Sequence, residues 1–326
     1  MLSRTADSLY WMARYTERAE NIARLLEVSQ RMSLQMHGGG APGGGYWGAV
    51  LGITGLEAAF KDKHSSKDSA INAADVLRFM ATDFGNPSSI LSCLKSAREN
   101  CHAVRGTVTS EVWETVNTTW LEARVSAGEL MRSDAAGQLH GSDLTKYFEW
   151  VKFRSHLSRG VTVGTMLQDE AFHFIRLGTF LERGDNTARL LDVKYDELAP
   201  KTEEGNEYYE WGALLRSVSG FEIYRKVYRD VITPNRVAEL LILREDMPRS
   251  LHACMKELDR LVNEIDGAGS WELQRQSGLL HAELRYGQIE DIIEEEGLHE
   301  YLTRFLARIY ALGDCINTSY FWPAES

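Results

Sequence analysis

The chain has 326 residues, 44% hydrophobic and 25% charged, with a formal net charge of −11. That is globular composition with enough length for a sizeable core. The acidic balance argues against a surface built to track phosphates or anionic headgroups, so neither nucleic acid nor membrane is an expected partner.

The N-terminal stretch MLSRTADSLYWMARYTERAEN carries charges every few residues and lacks the apolar core of a secretory signal. At about 100° per residue, Met12, Tyr15, Ala19, Ile22, Ala23 and Leu26 then share one face of a helix. The longest run without Asp, Glu, Lys or Arg, Met32 to Leu56, contains HGGGAPGGG and is too broken to span a bilayer. This glycine-rich segment also lacks the G-K-[ST] ending of a phosphate loop and reads as a tolerant connection. Pro87-Ser88-Ser89 precedes apolar residues at helical spacing and marks a helix start, with Asn86 near the cap. Ser110 is expected to cap the next helix, with Trp113 packing inward. RGVTVGTM, from Arg159 to Met166, comes nearest to a strand but is short. Leu177, Phe180, Gly184, Ala188 and Leu191 repeat the amphipathic pattern, and an acidic connection, YDELAPKTEEGNEYYEW, follows. Pro248-Arg249-Ser250 marks another helix start, with Asp246 near its cap, and EYLTRFLARIYALGDCINTSYF has the spacing of a closing helix. The expected class is all-α.

Several of these elements occur twice. ERAENIARLLEV (Glu17 to Val28) and ERGDNTARLLDV (Glu182 to Val193) agree at eight of twelve positions, where unrelated segments share about one. WGAVL at Trp47 answers WGALL at Trp211, ADVL at Ala74 answers AELL at Ala238, and PSSILSCLK at Pro87 answers PRSLHACMK at Pro248. The order is kept while the offset shrinks from 165 to 161. A helical bundle of two similar halves is expected, about 1–123 and 169–326, with an intervening helical segment of about 124–168.

Small residues four apart, Ala19 with Ala23 and Gly184 with Ala188, suggest that the two motif helices cross there, near a pseudo-two-fold axis. Glu17, Asn21 and Arg24 lie on the opposite face, as do Glu182, Asn186 and Arg189, while Arg18 and Arg183 flank the apolar stripe. Glu20–Arg24 and Asp185–Arg189 have the i,i+4 spacing of a solvated charged face. Keeping Glu, Arg and Asn in both copies calls instead for a shared buried polar network or a binding surface, and the network is the nearer explanation. On a binding surface Arg would clamp a carboxylate, Glu would orient it or an amine, and Asn would donate and accept hydrogen bonds. Asp169, Glu170 and Arg98 stand behind these as further binding candidates.

Glu170/His173 and Glu296/His299 have the E-x-x-H spacing found in di-metal carboxylate bundles. Gly297 interrupts the second pair, and no H-x-x-H, H-x-x-x-H or C-x-x-C adds ligands, so neither a metal nor another cofactor is expected. Arg98, His102 and Arg105 share a helical face that could meet a carboxylate or phosphate, or stay an exposed mixed face. Cys93, Cys101, Cys254 and Cys315 suit free thiols in a reducing cytoplasm, with Cys93 and Cys254 as core residues.

LSRTADSLYWMARYTERAENIARLLEV, NPSSILSCLKSARENCHAVRG and GTMLQDEAFHFIRLGTFLERGDNTARLLDVKY together resemble the bacterial alpha-E family, an all-helical family named for its Glu-Arg motif, here Glu17-Arg18 and Glu182-Arg183. The resemblance covers essentially 1–326 as one alpha-E domain, departing from the family pattern at Cys101-His102 and Gly184. Members are typically encoded beside circularly permuted ATP-grasp proteins and transglutaminase-like proteins. It therefore implies a role in amino-acid or peptide ligation and modification, and supplies no catalytic residue list. The expected function is a helical accessory or substrate-presenting protein working with an ATP-grasp-type ligase, with self-association left open. The alternatives are an independent enzyme of amide-bond or di-metal oxidase chemistry, or a purely architectural scaffold.

Overall fold

A computed structural model of the chain describes residues 1–36, 44–64, 71–135, 141–198, 207–265 and 271–321. Residues 37–43 of HGGGAPGGG and 199–206 of the acidic connection before Trp211 lie outside them. All regular structure among the described residues is helical. The order is α1 (Ser3–Met36), α2 (Gly44–Thr54), α3 (Glu57–Lys63), α4 (Ala73–Ala81), α5 (Ile90–Ala103), α6 (Ser110–Ala135) and α7 (Gly141–Thr165). There follow α8 (Glu170–Leu198), α9 (Glu207–Ser217), α10 (Phe221–Tyr228), α11 (Pro234–Ile242), α12 (Leu251–Glu264), α13 (Trp271–Tyr286) and α14 (Leu298–Ile316), with π-helical turns at Asp291–Glu296 and Asn317–Phe321. The near-strand RGVTVGTM is mostly the last turns of α7. No helix among the described residues is long and apolar enough to cross a membrane.

The chain divides into two compact units, a continuous one, Tyr15–Leu167, and a split one, Met1–Arg14 with Gln168–Ser326. The segment set apart in the sequence, 124–168, thus belongs to the continuous unit apart from Gln168. There α6 packs against both α5 and α7, around a core that includes Leu51, Ile53, Met80, Ile90 and Phe148. Arg154 ties α7 to α6, donating to the Thr119 hydroxyl at 2.8 Å and the Thr115 carbonyl at 3.0 Å. In the split unit α8 packs on α12 and α14, and α12 packs on α13. Leu177, Leu181, Trp211 and Tyr224 are fully buried there, and Phe321 joins Tyr10 and Phe174 in an aromatic cluster with centroids 5.2 and 5.9 Å away.

The two proline turns start helices as expected, but the caps sit three and four residues later than Asn86 and Asp246. Ser89 accepts from Ser92 N at 3.2 Å, and Ser250 from Ala253 N at 2.9 Å. Asn86 instead shapes the turn, donating to the Phe79 carbonyl and accepting from Ser88 N, and Asp246 pairs with Arg244. Thr109, not Ser110, accepts from Val112 N at the start of α6. Trp113 is half-buried.

Within the split unit Gly184 lies against α12 and α14. A Cβ on Gly184 would stand 3.2 Å from Met255 Cε, 3.6 Å from Cys254 Cβ and 3.8 Å from Ile309 Cδ1, so Gly184 makes room for α12 and α14. The close backbone approach of α1 to α8 in the split unit falls at Gly178. A Cβ there would run into the Tyr10 carbonyl oxygen, with the carbonyl carbon 3.1 Å away. A backbone carbonyl cannot swing aside as a methionine end can, so the two glycines should respond differently. Gly178→Ala is expected to destabilise by roughly 1–3 kcal/mol through overpacking. Gly184→Ala is expected to be near neutral, since the gain from replacing a helical glycine, about 0.5–1 kcal/mol, offsets the shift of Met255. Thermal melts of both variants test the contrast, and equal losses would refute it.

Candidate functional site

In the continuous unit the spacing of Glu17, Glu20, Arg24 and Glu27 brings them onto one side of α1. On α7, Lys152, Ser155, His156 and Arg159 follow the same helical spacing and face them. Arg159 Nη1 lies 2.8 Å from Glu17 Oε2 and 2.6 Å from Glu20 Oε2. Ser155 donates its hydroxyl to Glu20 Oε2 at 2.7 Å, and Arg24 Nε donates to Glu20 Oε1 at 2.8 Å. Lys152 and Arg31 both pair with Glu27. The His156 ring lies between the guanidiniums, Nε2 3.1 Å from Arg24 and Nδ1 2.6 Å from Arg159. A neutral imidazole has one acceptor nitrogen, so only one of these contacts is a hydrogen bond at a time.

The solvated charged face expected for Glu20 and Arg24 is therefore corrected. Glu20 has no exposed surface and Arg24 is 8% exposed, with Glu17, Asn21 and Glu27 buried beside them. An unpaired carboxylate in such a place would cost several kcal/mol, and the α7 cations offset that penalty. Ser155, Arg159 and Lys152 were not singled out in the sequence. Their signal, basic and hydroxyl residues at i, i+3 and i+7, lay in the segment without a copy. Arg18 is half-buried, its guanidinium 5.7 Å from the Tyr15 ring centroid.

The split unit holds the second motif by different partners. Arg14 Nε donates to Glu182 Oε2 at 2.8 Å, its guanidinium lying 4.8 Å from the Trp11 ring centroid. Burial opposes the charge on Arg14, but Glu182, with Tyr10 and Asp185 adding to it, outweighs burial and holds the guanidinium above its usual range. Arg189 Nε is 3.2 Å from both oxygens of Asp185 and also bonds the Tyr310 hydroxyl on α14. Burial pushes the Asp185 carboxyl up; Arg189 opposes this and the nearby Glu182 charge adds to it. Tyr310 is pushed up to about 12, by burial first and then by Asp185. Arg183 is 8% exposed and donates to the Pro248 carbonyl at 3.3 Å, while the Thr187 hydroxyl donates to the Arg249 carbonyl at 2.9 Å. Both side chains thus hold the turn that starts α12. Asn186 is half-buried.

The remaining candidates have local duties. Asp169 caps α8, accepting from Ala171 N and Phe172 N. Glu170 lies 2.9 Å from the Met1 amino group, and His173 Nε2 3.3 Å from Glu264. Glu296 pairs with Arg304 and His299 with Asp192, while Gly297, at φ +90°, breaks the helix between them. Among the described residues no three His, Cys, Asp or Glu side chains come together as a metal-holding group. Arg98 donates to Asn117 at 3.2 Å and, with Arg105, flanks the Trp113 ring at 5.5 and 5.3 Å. The His102 ring is 5.5 Å from the same indole. Cys101, buried, is pushed up to about 12 by desolvation, which leaves it a poor nucleophile.

The Alpha-E family model, described as a predicted alpha-helical domain with a conserved ER motif, matches residues 1–321, and the chain belongs to that family. It is also similar to an uncharacterized protein of Mycobacterium bovis and to uncharacterized proteins of two Mycobacterium tuberculosis strains. Each is 24% identical over 322 residues, covering 94% of this chain. The chain spans only 35% of the length of those relatives. No solved structure gives a significant match.

Two variants test the networks. Glu20→Gln keeps the shape but removes the charge that Arg24 and Arg159 face, and is expected to lose roughly 3–5 kcal/mol of stability in denaturant unfolding; an unchanged midpoint would refute a buried lock. Asp185 has a raised carboxyl, so its contribution to stability is present in acid and lost as pH rises through the raised value. Asp185→Asn stays neutral, so variant-minus-parent Tm should be more positive at about pH 8 than at about pH 4. A pH-independent difference would show that Arg189 fully compensates the buried charge.

Proposed function

We propose that this Alpha-E protein is a helical accessory component of an amino-acid or peptide ligation system, working beside an ATP-grasp-type ligase in the cytoplasm. In this reading its Glu-Arg motifs are internal locks, and the chemistry belongs to the partner. The observation that carries the reading is the occupation of the motif carboxylates. Glu17 and Glu20 are bonded by Arg159, and Glu182 by Arg14, within their own units. A substrate amine or carboxylate would have to displace these buried partners, at the cost of stranding a charge. An accessory role needs a stable surface and makes no such demand.

Two further observations support it. Related sequence forms about a third of longer mycobacterial chains, an arrangement that holds this region beside other polypeptide at high effective concentration. The helix order also suits a duplicated scaffold of two similar halves: α1 to α7 and α8 to α14 each begin with a long motif helix, and Ser89 and Ser250 cap the matched α5 and α12. The independent-enzyme alternative has less support, since Glu170, His173, Glu296 and His299 each engage other groups.

Purification of the tagged protein from native lysate, followed by mass spectrometry, is expected to yield a stoichiometric ATP-grasp protein. In the reconstituted pair, Glu17→Gln and Glu182→Gln should lower Tm markedly, while ligation measured well below the melting range stays within about twofold of the parent, since the motifs meet no substrate in the transition state. A partnerless protein, or loss of ligation with Tm unchanged, would overturn the reading.

A further inference from the structure

We propose that the outer face of α5 and α6 in the continuous unit is a docking stripe for a short acidic peptide segment of a partner protein. Carboxylates of the segment meet the arginines of the stripe, and apolar side chains meet its aromatic rings. The proposal does not depend on the accessory reading, since it holds whichever protein carries the segment.

Helical spacing lays the stripe out. On α5, Lys95, Arg98 and His102 follow at i, i+3 and i+7, and Arg105 continues the line in the turn after the helix. On α6, which packs against α5, Trp113, Asn117 and Trp120 stand one turn apart. The two rows meet where Arg98 Nε donates to Asn117 Oδ1 at 3.2 Å. The Arg98 and Arg105 guanidiniums lie 5.5 and 5.3 Å from the Trp113 ring centroid, and the His102 ring lies 5.5 Å from it. At the other end Lys95 Nζ is 5.8 Å from the Phe84 ring centroid, and Phe84, 57% exposed, is 6.4 Å from Trp120. Cations and aromatic rings thus interleave over roughly 15 Å at helical rise, the length of about five extended residues.

The cations are available to a ligand. His102 and Arg105 are exposed, and Arg98 is half-buried. Arg98 spends one N–H on Asn117, and neither Arg98 nor Arg105 forms an ion pair among the described residues. A guanidinium held against an indole keeps its remaining N–H groups for a carboxylate fork. Lys95 does pair with Glu99, at 3.8 Å, but the two side chains are 48% and 57% exposed, so that pair is weak and displaceable.

The layout selects the occupant. Cations spread along a line suit several carboxylates in succession, whereas a single phosphate needs donors that converge on one point. The net charge of −11 disfavours a long polyanion such as nucleic acid, which would also lie against acidic surface. A short segment stays within about 8–10 Å, a Debye length, of the stripe's own cations.

The probe is a fluorescein-labelled six-residue peptide of alternating glutamate and phenylalanine, compared with its glutamine counterpart by anisotropy on the full chain. The acidic peptide should bind about tenfold more tightly and lose that margin as salt rises from about 0.05 to about 0.5 M. It should also shift the Trp113 and Trp120 indole N–H signals in NMR. Arg105→Glu, at an exposed position, should weaken the acidic peptide about tenfold. Arg225→Glu, which makes the same charge change at an exposed position of the split unit, should leave it within about twofold. Equal affinity for the two peptides, equal losses in the two variants, or indole shifts confined to other tryptophans would each overturn the proposal. Displacement of the peptide by inorganic phosphate or by a DNA duplex at matched ionic strength would overturn it too, in favour of a general oxyanion or nucleic-acid site.

Discussion

A carboxylate with no exposed surface, Glu20, constrains the continuous unit more than any apolar contact. Its solvation cannot be recovered from water, so the protein must supply cations and donors in fixed places. Arg24 comes from its own helix, and Ser155 and Arg159 come from α7. The pairs Glu27–Lys152, Glu20–Ser155 and Glu17–Arg159 run in opposite order along the two helices, which sets α1 and α7 antiparallel and fixes their register. Sliding α7 by one turn would leave a buried acid facing an apolar side chain. Apolar packing alone tolerates such slips far better, because one aliphatic contact can replace another.

The helical pattern and the duplicated motifs could be read from the sequence because apolar spacing is a local property. What covers a face is not local. The wheel of α1 groups Glu17, Asn21 and Arg24, yet it cannot say that α7 supplies the partners of Glu17 and Glu20. The covering residues, Lys152, Ser155 and Arg159, lie in 124–168, which has no repeated counterpart to mark them. What meets a small residue is not local either. Gly178 and Gly184 both sit on α8, and only tertiary packing decides that Tyr10 meets the first while Cys254, Met255 and Ile309 meet the second. At the proline turns the error was one of spacing: the turn itself uses Asn86 and Asp246, which moves the cap to the following serine.

Arg183 shows why a repeated residue need not be a ligand-binding one. Its guanidinium serves a main-chain carbonyl at the start of α12, with Thr187 one turn along holding the next carbonyl. Carbonyls in a tight turn before a helix have no backbone donor close by, so a buried arginine satisfies a need that secondary structure leaves open. A reading that looks only for substrate would assign this side chain to catalysis on the strength of its type.

The two copies of the motif also differ in how fully their charges are compensated. Glu20 meets two guanidiniums and a hydroxyl, all oriented toward it. Asp185, at the matching position, meets Arg189, while the group on α14 is a phenol shared with that same arginine. A phenol hydroxyl carries no charge, and the neighbouring Glu182 adds a like charge, so burial outweighs Arg189 and the weaker pull of Arg14, and Asp185 resists ionisation. One sequence motif thus yields a tightly compensated lock in the continuous unit and a less compensated one in the split unit. The difference originates outside the motif, in the residues of α7 and α14 that face it.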